Sequence, residues 1–166
     1  AGSTRTASKR FERLQFSDRR VADTNDPDNN TPFYNVASGI ANTGTTENTP
    51  LPTLNLGRVY VLASPGTCSA SEAIVNGLRG VGITVVPIGD TSCGKPVGFN
   101  ATDDACGTTY SVVNFEGVNA LNQGRYFNGL APTCAVAEDF TRPIGDVADP
   151  LLVAAAHHVD NGACPV

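Results

Sequence analysis

Residues 58–98 read RVYVLASPGTCSASEAIVNGLRGVGITVVPIGDTSCGKPVG, and this stretch decides the fold class. Arg58-Val-Tyr-Val-Leu-Ala-Ser64 is a near-continuous apolar run between Gly57 and Pro65, the pattern of a buried strand. After a Pro65-Gly66-Thr67 turn, apolar positions at 70, 73, 74, 77/78 and 81 follow a helical stripe. Ser69, with Glu72 three residues later, forms the pattern of a capping box, and Gly80 and Gly82 supply the stop. Ile83-Thr-Val-Val-Pro-Ile88 is a second apolar strand. Strand, short helix and strand in this order predict a parallel βαβ unit and an α/β fold.

Residues 1–9 (AGSTRTASK) read as a polar arm. Residues 10–16 (RFERLQF) alternate enough to predict a short edge strand. Residues 17–53 are rich in turn chemistry and predict a long loop, either a flap or a cover over a partner segment. Downstream, Lys95 to Phe99 and Thr108 to Phe115 flank the loop NATDDACG, which predicts a β-hairpin flap. Residues 116–134 form a turn-rich return. The run from Pro150 to Val159 reads as a C-terminal helix with Asp149 as cap and Pro150 at its first position, stopped at Asn161-Gly162. The expected organisation is an arm, edge strand and loop over 1–53 and a catalytic unit over 54–166.

The 166 residues suffice for one core. A net charge of −5 with 11 Lys and Arg argues against nucleic acid and anionic membrane surfaces as partners. No apolar run approaches the roughly 18–20 residues that span a bilayer. The lack of any Met or leader marks the chain as a processed or excised piece. Cysteines at 68, 93, 106, 134 and 164 show no CxxC pair, and with only two His they argue against a zinc site; no metal or organic cofactor is expected. Disulfides in an oxidising compartment are the expectation, with Cys93–Cys106 and Cys134–Cys164 paired and Cys68 buried and unpaired; five reduced thiols are the alternative.

Ser69 leaves a strand and starts a helix, where free N–H groups and the helix dipole favour negative charge. A substrate oxyanion beside it would be met by the Ala70 N–H. By itself Ser69 equally suits a plain N-cap. Lys95 changes the balance. It lies just past the second strand, and the C-terminal ends of parallel neighbours share one side, so Lys95 and Ser69 converge. Between Gly94 and Pro96 it is expected to be partly desolvated, which favours the neutral amine that a base requires. A solvated loop lysine is the bland alternative. The Gly94-Lys95 pair lacks the GxxxxGK[ST] context of a phosphate loop. His157 and His158 offer a competing base on the last helix, one core-facing and one solvated. Glu72 reads as the capping partner, and Tyr60 and Tyr110 as packing.

The composite strand-T-x-S-A-S-E-helix-strand-G-x-T-x-x-G-K-P closely resembles the C-terminal processing (tail-specific) serine peptidases. Their core belongs to the crotonase/Clp-protease-like folds. The match covers Arg58 to Gly98 tightly, with a looser marker at Gly129-Leu-Ala-Pro132. The resemblance implies a Ser–Lys dyad with Ser69 as nucleophile, Lys95 as base and Ala70 N–H as one oxyanion donor, in a ββα core. It also implies a bacterial periplasmic, envelope or extracellular location. Three features depart from the family. The Gln four residues after the lysine is Phe99 here, which leaves Asn100 or Thr91 to orient Lys95. No Gly-rich loop before residue 57 supplies the second oxyanion donor, and no PDZ-like module is found. The expected partners are therefore a polypeptide substrate and a missing N-terminal half of the same enzyme.

Two rival readings are a non-catalytic peptide- or ligand-binding module of the same fold and an acyl-thioester enzyme of the crotonase type. The Ser-Ala-Ser-Glu helix start argues against the second.

Overall fold

The computed structural model describes residues 4–17, 29–37 and 46–165. The strands are β1 (Arg10–Phe16), β2 (Asn30–Pro32), β3 (Arg58–Ala63), β4 (Thr84–Gly89), β5 (Val97–Gly98), β6 (Thr102–Asp103), β7 (Thr109–Tyr110), β8 (Phe115–Val118) and β9 (Cys134–Ala135). The helices are α1 (Ala70–Arg79) and α2 (Pro150–Asn161). The fold is mixed α/β, and β3, α1 and β4 form the expected unit, with β3 parallel to β4 from Arg58↔Thr84 to Ala63↔Gly89.

A three-stranded sheet runs β3-β4-β9, with β9 parallel to β4. Central β4 is buried from Val85 to Gly89, as a strand covered on both faces should be. One face carries Val86 and Ile88, which pack with Cys134 and with Ala154 and Ala155 of α2. Successive side chains alternate, so Val85 belongs to the other face, and α1 contacts β4 as well as β1 and β8. Helix α1 thus lies between this sheet and a second one ordered β2-β1-β8-β5. The α1–β1 approach is close because residue 77 is Gly: a Cβ there would lie 2.6 Å from the Phe11 ring.

Several expectations are corrected. β1 is not an edge strand, since β2 and β8 pair antiparallel on its two sides. Among the described residues β3 lies at an edge of its sheet, and only Ala63 of its six residues is fully buried. The described parts of residues 17–53 include β2 and a Val36↔Pro50 bridge that buries Ala37, so they are not loop throughout. The rest of that loop lies outside the described residues. The helical stripe is rotated: Ile74 is 51% exposed, while Glu72 is 0% exposed and Val75 is buried beside it. A charged residue holds the innermost position of α1 because its hydrogen bonds are all made inside.

Other elements form as their local chemistry dictates. β6 and β7 pair around residues 104–108 as the hairpin of the expected flap, and β5 pairs antiparallel with β8. Asp149 accepts from the Leu151 and Leu152 N–H groups at the start of α2, and Gly162 ends it in the left-handed conformation. Both histidines are half-buried, so neither is the fully solvated one expected. His158 Nδ1 lies 3.1 Å from the Tyr60 hydroxyl.

Candidate active site

The chain leaves β3 through a turn in which Thr67 N–H donates to Ser64 O and Thr67 Oγ1 accepts from Ser64 N–H. Ser69 follows as the N-cap of α1, with φ 53° and ψ −108°. Positive φ in a residue with a Cβ costs of order 1–3 kcal/mol and survives only where neighbours enforce it. Such a forced strand-to-helix corner presents the Ser69 hydroxyl at a helix N-terminus. Among the described residues, the exposed Ala70 N–H next to it has no partner. The Ser71 N–H is taken by Cys68 O.

The Lys95 loop is bound to this corner by one carboxylate. Glu72 Oε2 accepts the Ser69 N–H at 3.0 Å and the Lys95 N–H at 2.8 Å. Its Oε1 accepts the Gly94 N–H at 2.8 Å and the Ser92 hydroxyl. Burial alone would raise the Glu72 carboxyl; the Ser92 hydroxyl and the Lys95, Gly94 and Ser69 amides outweigh it and hold it below its ordinary value. The capping-box role is therefore present, but it is one quarter of what Glu72 does. Two further links join the loops: Cys93 N–H donates to Thr67 O at 2.9 Å, and a disulfide joins Cys68 to Cys93.

The Gly129-Leu-Ala-Pro132 marker buttresses the loop from behind. Leu130 N–H donates to Ser92 Oγ at 2.8 Å, and Ser92 N–H returns a bond to Leu130 O. Gly94 adopts φ 82°, and a Cβ there would sit 2.7 Å from Gly129 N and closer still to Phe127 O. Both obstacles are backbone. Gly94→Ala is accordingly expected to cost about 3 kcal/mol or more. A thermal melt should show Tm falling by about 6–12 °C.

The side chain of Lys95 departs from expectation. It is exposed rather than partly desolvated, because its backbone faces Glu72 and sends the side chain outward. Its Nζ lies 5.8 Å from the centroid of the Phe99 ring, within cation–π range. Phe99 is thus the group against the amine. The structure brings the backbones of Ser69 and Lys95 onto one oxygen. His158 instead engages Tyr60, on β3.

The disulfide pairing is half corrected. Cys134–Cys164 forms as expected. Cys93 pairs with Cys68 rather than Cys106, and Cys106 is free and exposed. The turn at 104–107 explains this: Cys106 N–H and Thr108 N–H bond Asp104 Oδ1 and close the flap locally. Ser92 and the Gly94 amide are site groups the sequence reading missed. A cavity of about 510 Å³ opens beside the corner, lined by Leu62, Thr67, Phe140, Ile144 and Leu151 among others. No helix among the described residues is long and apolar enough to cross a membrane.

No protein-family model and no curated protein matches the chain. Among solved structures, it is similar to a crystal structure from Bacteroides fragilis named as an S41 protease. The TM-score is 0.66 and the identity 24%, over 93% of this chain and 37% of that one. The likeness is one of fold, and this chain spans little more than a third of that protein's length.

Proposed function

We propose that the chain carries the catalytic part of a serine endopeptidase of the tail-specific type, on a crotonase/Clp-protease-like core, acting through a Ser69–Lys95 dyad. The observation that carries the reading is the single Glu72 carboxylate bound by both the Ser69 and Lys95 amides. The forced backbone at Ser69, the unpartnered Ala70 N–H and the fold shared with an S41 protease support it.

In this mechanism Ser69 Oγ attacks the scissile carbonyl carbon while Lys95 Nζ takes its proton. The carbonyl oxygen becomes an oxyanion and meets Ala70 N–H. Collapse expels the amine, which receives the proton back from Lys95, and leaves an ester on Ser69. Water, deprotonated by Lys95, then releases the acid. A peptide lying across the site would cover the exposed Lys95 amine and remove it from water, which favours its neutral form. Among the described residues β3 lies at the edge of its sheet, which suits an extended polypeptide substrate, and the adjoining cavity suits an apolar side chain. The 1–53 and 54–166 division, a second oxyanion donor from an N-terminal half, and export to a bacterial periplasm, envelope or medium belong to the same proposal. The two disulfides fit an oxidising compartment.

A fluorophosphonate probe tests the reading directly. Covalent labelling mapped to Ser69, and lost in Ser69→Ala, is the expected result. A folded chain that binds peptide but never labels is instead a non-catalytic binding module.

A further inference from the structure

We propose that the Cys68–Cys93 disulfide is a redox lock on this site: oxidised, it clamps the Ser69 corner to the Lys95 loop, and reduced, it lets them separate and stops hydrolysis. The effect on hydrolysis rests on the dyad reading above; the clamping does not.

The placement of the two cysteines carries the argument. Cys68 immediately precedes Ser69, and Cys93 lies two residues before Lys95, with the two Cα atoms 5.3 Å apart. The bridge spans α1 and β4, which the β3–β4 ladder already fixes. It is therefore unnecessary for closing the βαβ unit and acts at its open end, where the two loops emerge. The other links there are the Thr67–Cys93 backbone bond and the bonds to Glu72. All of these require the loops to be already in register. Ser69 also sits in a backbone conformation that relaxes if it is not held. Cys93 is exposed and Cys68 half-buried, so Cys93 is the end of the bridge a thiolate from solution approaches.

The step balances with a dithiol as reductant. Its thiolate attacks Cys93 Sγ, the Cys68–Cys93 bond breaks, and Cys68 leaves as a thiolate that takes up a proton. The second thiol of the reagent then displaces Cys93 and closes the reagent's own disulfide, so two electrons pass to the protein. A glutathione disulfide reverses the exchange. With the bridge closed, both sulfurs lie within 4.8 Å of a Glu72 oxygen, but that does not make a metal site. Both oxygens of Glu72 already accept two hydrogen bonds each, and a metal would have to displace them.

The test combines amide hydrogen exchange with peptide hydrolysis. It compares the oxidised protein, the protein reduced by dithiothreitol, and Cys68→Ser/Cys93→Ser, which keeps Cys134–Cys164. Exchange at Ser69, Gly94 and Lys95 is expected to quicken at least about tenfold in the latter two, while the amides of β3 and β4 stay protected. Hydrolysis should fall at least about tenfold in both and return on reoxidation only in the wild type. Cys134→Ala/Cys164→Ala should keep the full redox response. Unchanged exchange at the three site amides overturns the lock. So does equal loss of protection along β3 and β4, which would make the bridge a general staple. The expected exchange pattern with neither hydrolysis nor fluorophosphonate labelling of Ser69 in the oxidised protein leaves the lock standing and removes the peptidase reading.

Discussion

Ser69→Ala is expected to lower peptide hydrolysis at least about 10⁴-fold, and Lys95→Ala by about 10²–10⁴-fold, with the double variant no worse than the first. The losses are large because each residue performs a step the other cannot: without Ser69 there is no acyl-enzyme, and without Lys95 nothing takes its proton. They are non-additive because the two act as one unit. Neither variant should unfold. Lys95 is exposed, so its removal should change stability by under about 0.5 kcal/mol. Ser69→Ala loses at most an N-cap, about 1 kcal/mol, because the carboxylate half of the capping box reaches the backbone N–H of residue 69 whatever the side chain. Melting curves within a few degrees of wild type, together with lost hydrolysis, would separate chemistry from folding. An active Lys95→Ala variant would sink the dyad and return attention to His157 and His158.

What the sequence discloses about this site follows from range. The β3–α1–β4 unit is legible because periodicity, caps and turn residues are all local, and Asp149 and Gly162 mark α2 for the same reason. The convergence of Ser69 and Lys95 also follows, since parallel strands put both C-terminal ends on one side. That logic reaches further than the pairing expected for Cys93: if residues 69 and 95 meet, so do 68 and 93, and the bond between them is a consequence of the same topology. The illegible parts depend on distant partners. β1 becomes an inner strand only because β8, about a hundred residues on, lies against it. Hydrophobicity alone turns Ile74 inward on α1 and Glu72 outward. The structure reverses this because donors from residues 92, 94 and 95 converge where Glu72 points. The exposure of Lys95 could not be read at all, because Gly and Pro neighbours say nothing of which way a side chain leaves the backbone.

Glu72 therefore anchors the second large effect. Its carboxylate is 0% exposed and accepts three backbone N–H groups and one hydroxyl. Glu72→Ala strands these donors in the interior, at about 4–5 kcal/mol, a large share of the stability of any single domain. Glu72→Gln keeps the volume but turns one acceptor into a donor that faces donors, at about 2–3 kcal/mol. The sign of the pH effect is fixed by the direction of the shift. The folded carboxyl lies below its ordinary value of 4.5, so as pH falls the unfolded chain binds the proton first. Stability from Glu72 is complete above that value and is lost as pH drops through the lowered folded one. Asp104, Asp139 and Asp146 are also held low by their own hydrogen bonds and contribute acid sensitivity of the same sign. The diagnostic quantity is then a difference. Between pH 6 and pH 3, urea-denaturation midpoints of wild type and Glu72→Gln should converge, because acid removes from the wild type what the substitution has already removed. A gap that stays constant across this range would mean the Glu72 charge does not hold the Ser69 corner to the Lys95 loop.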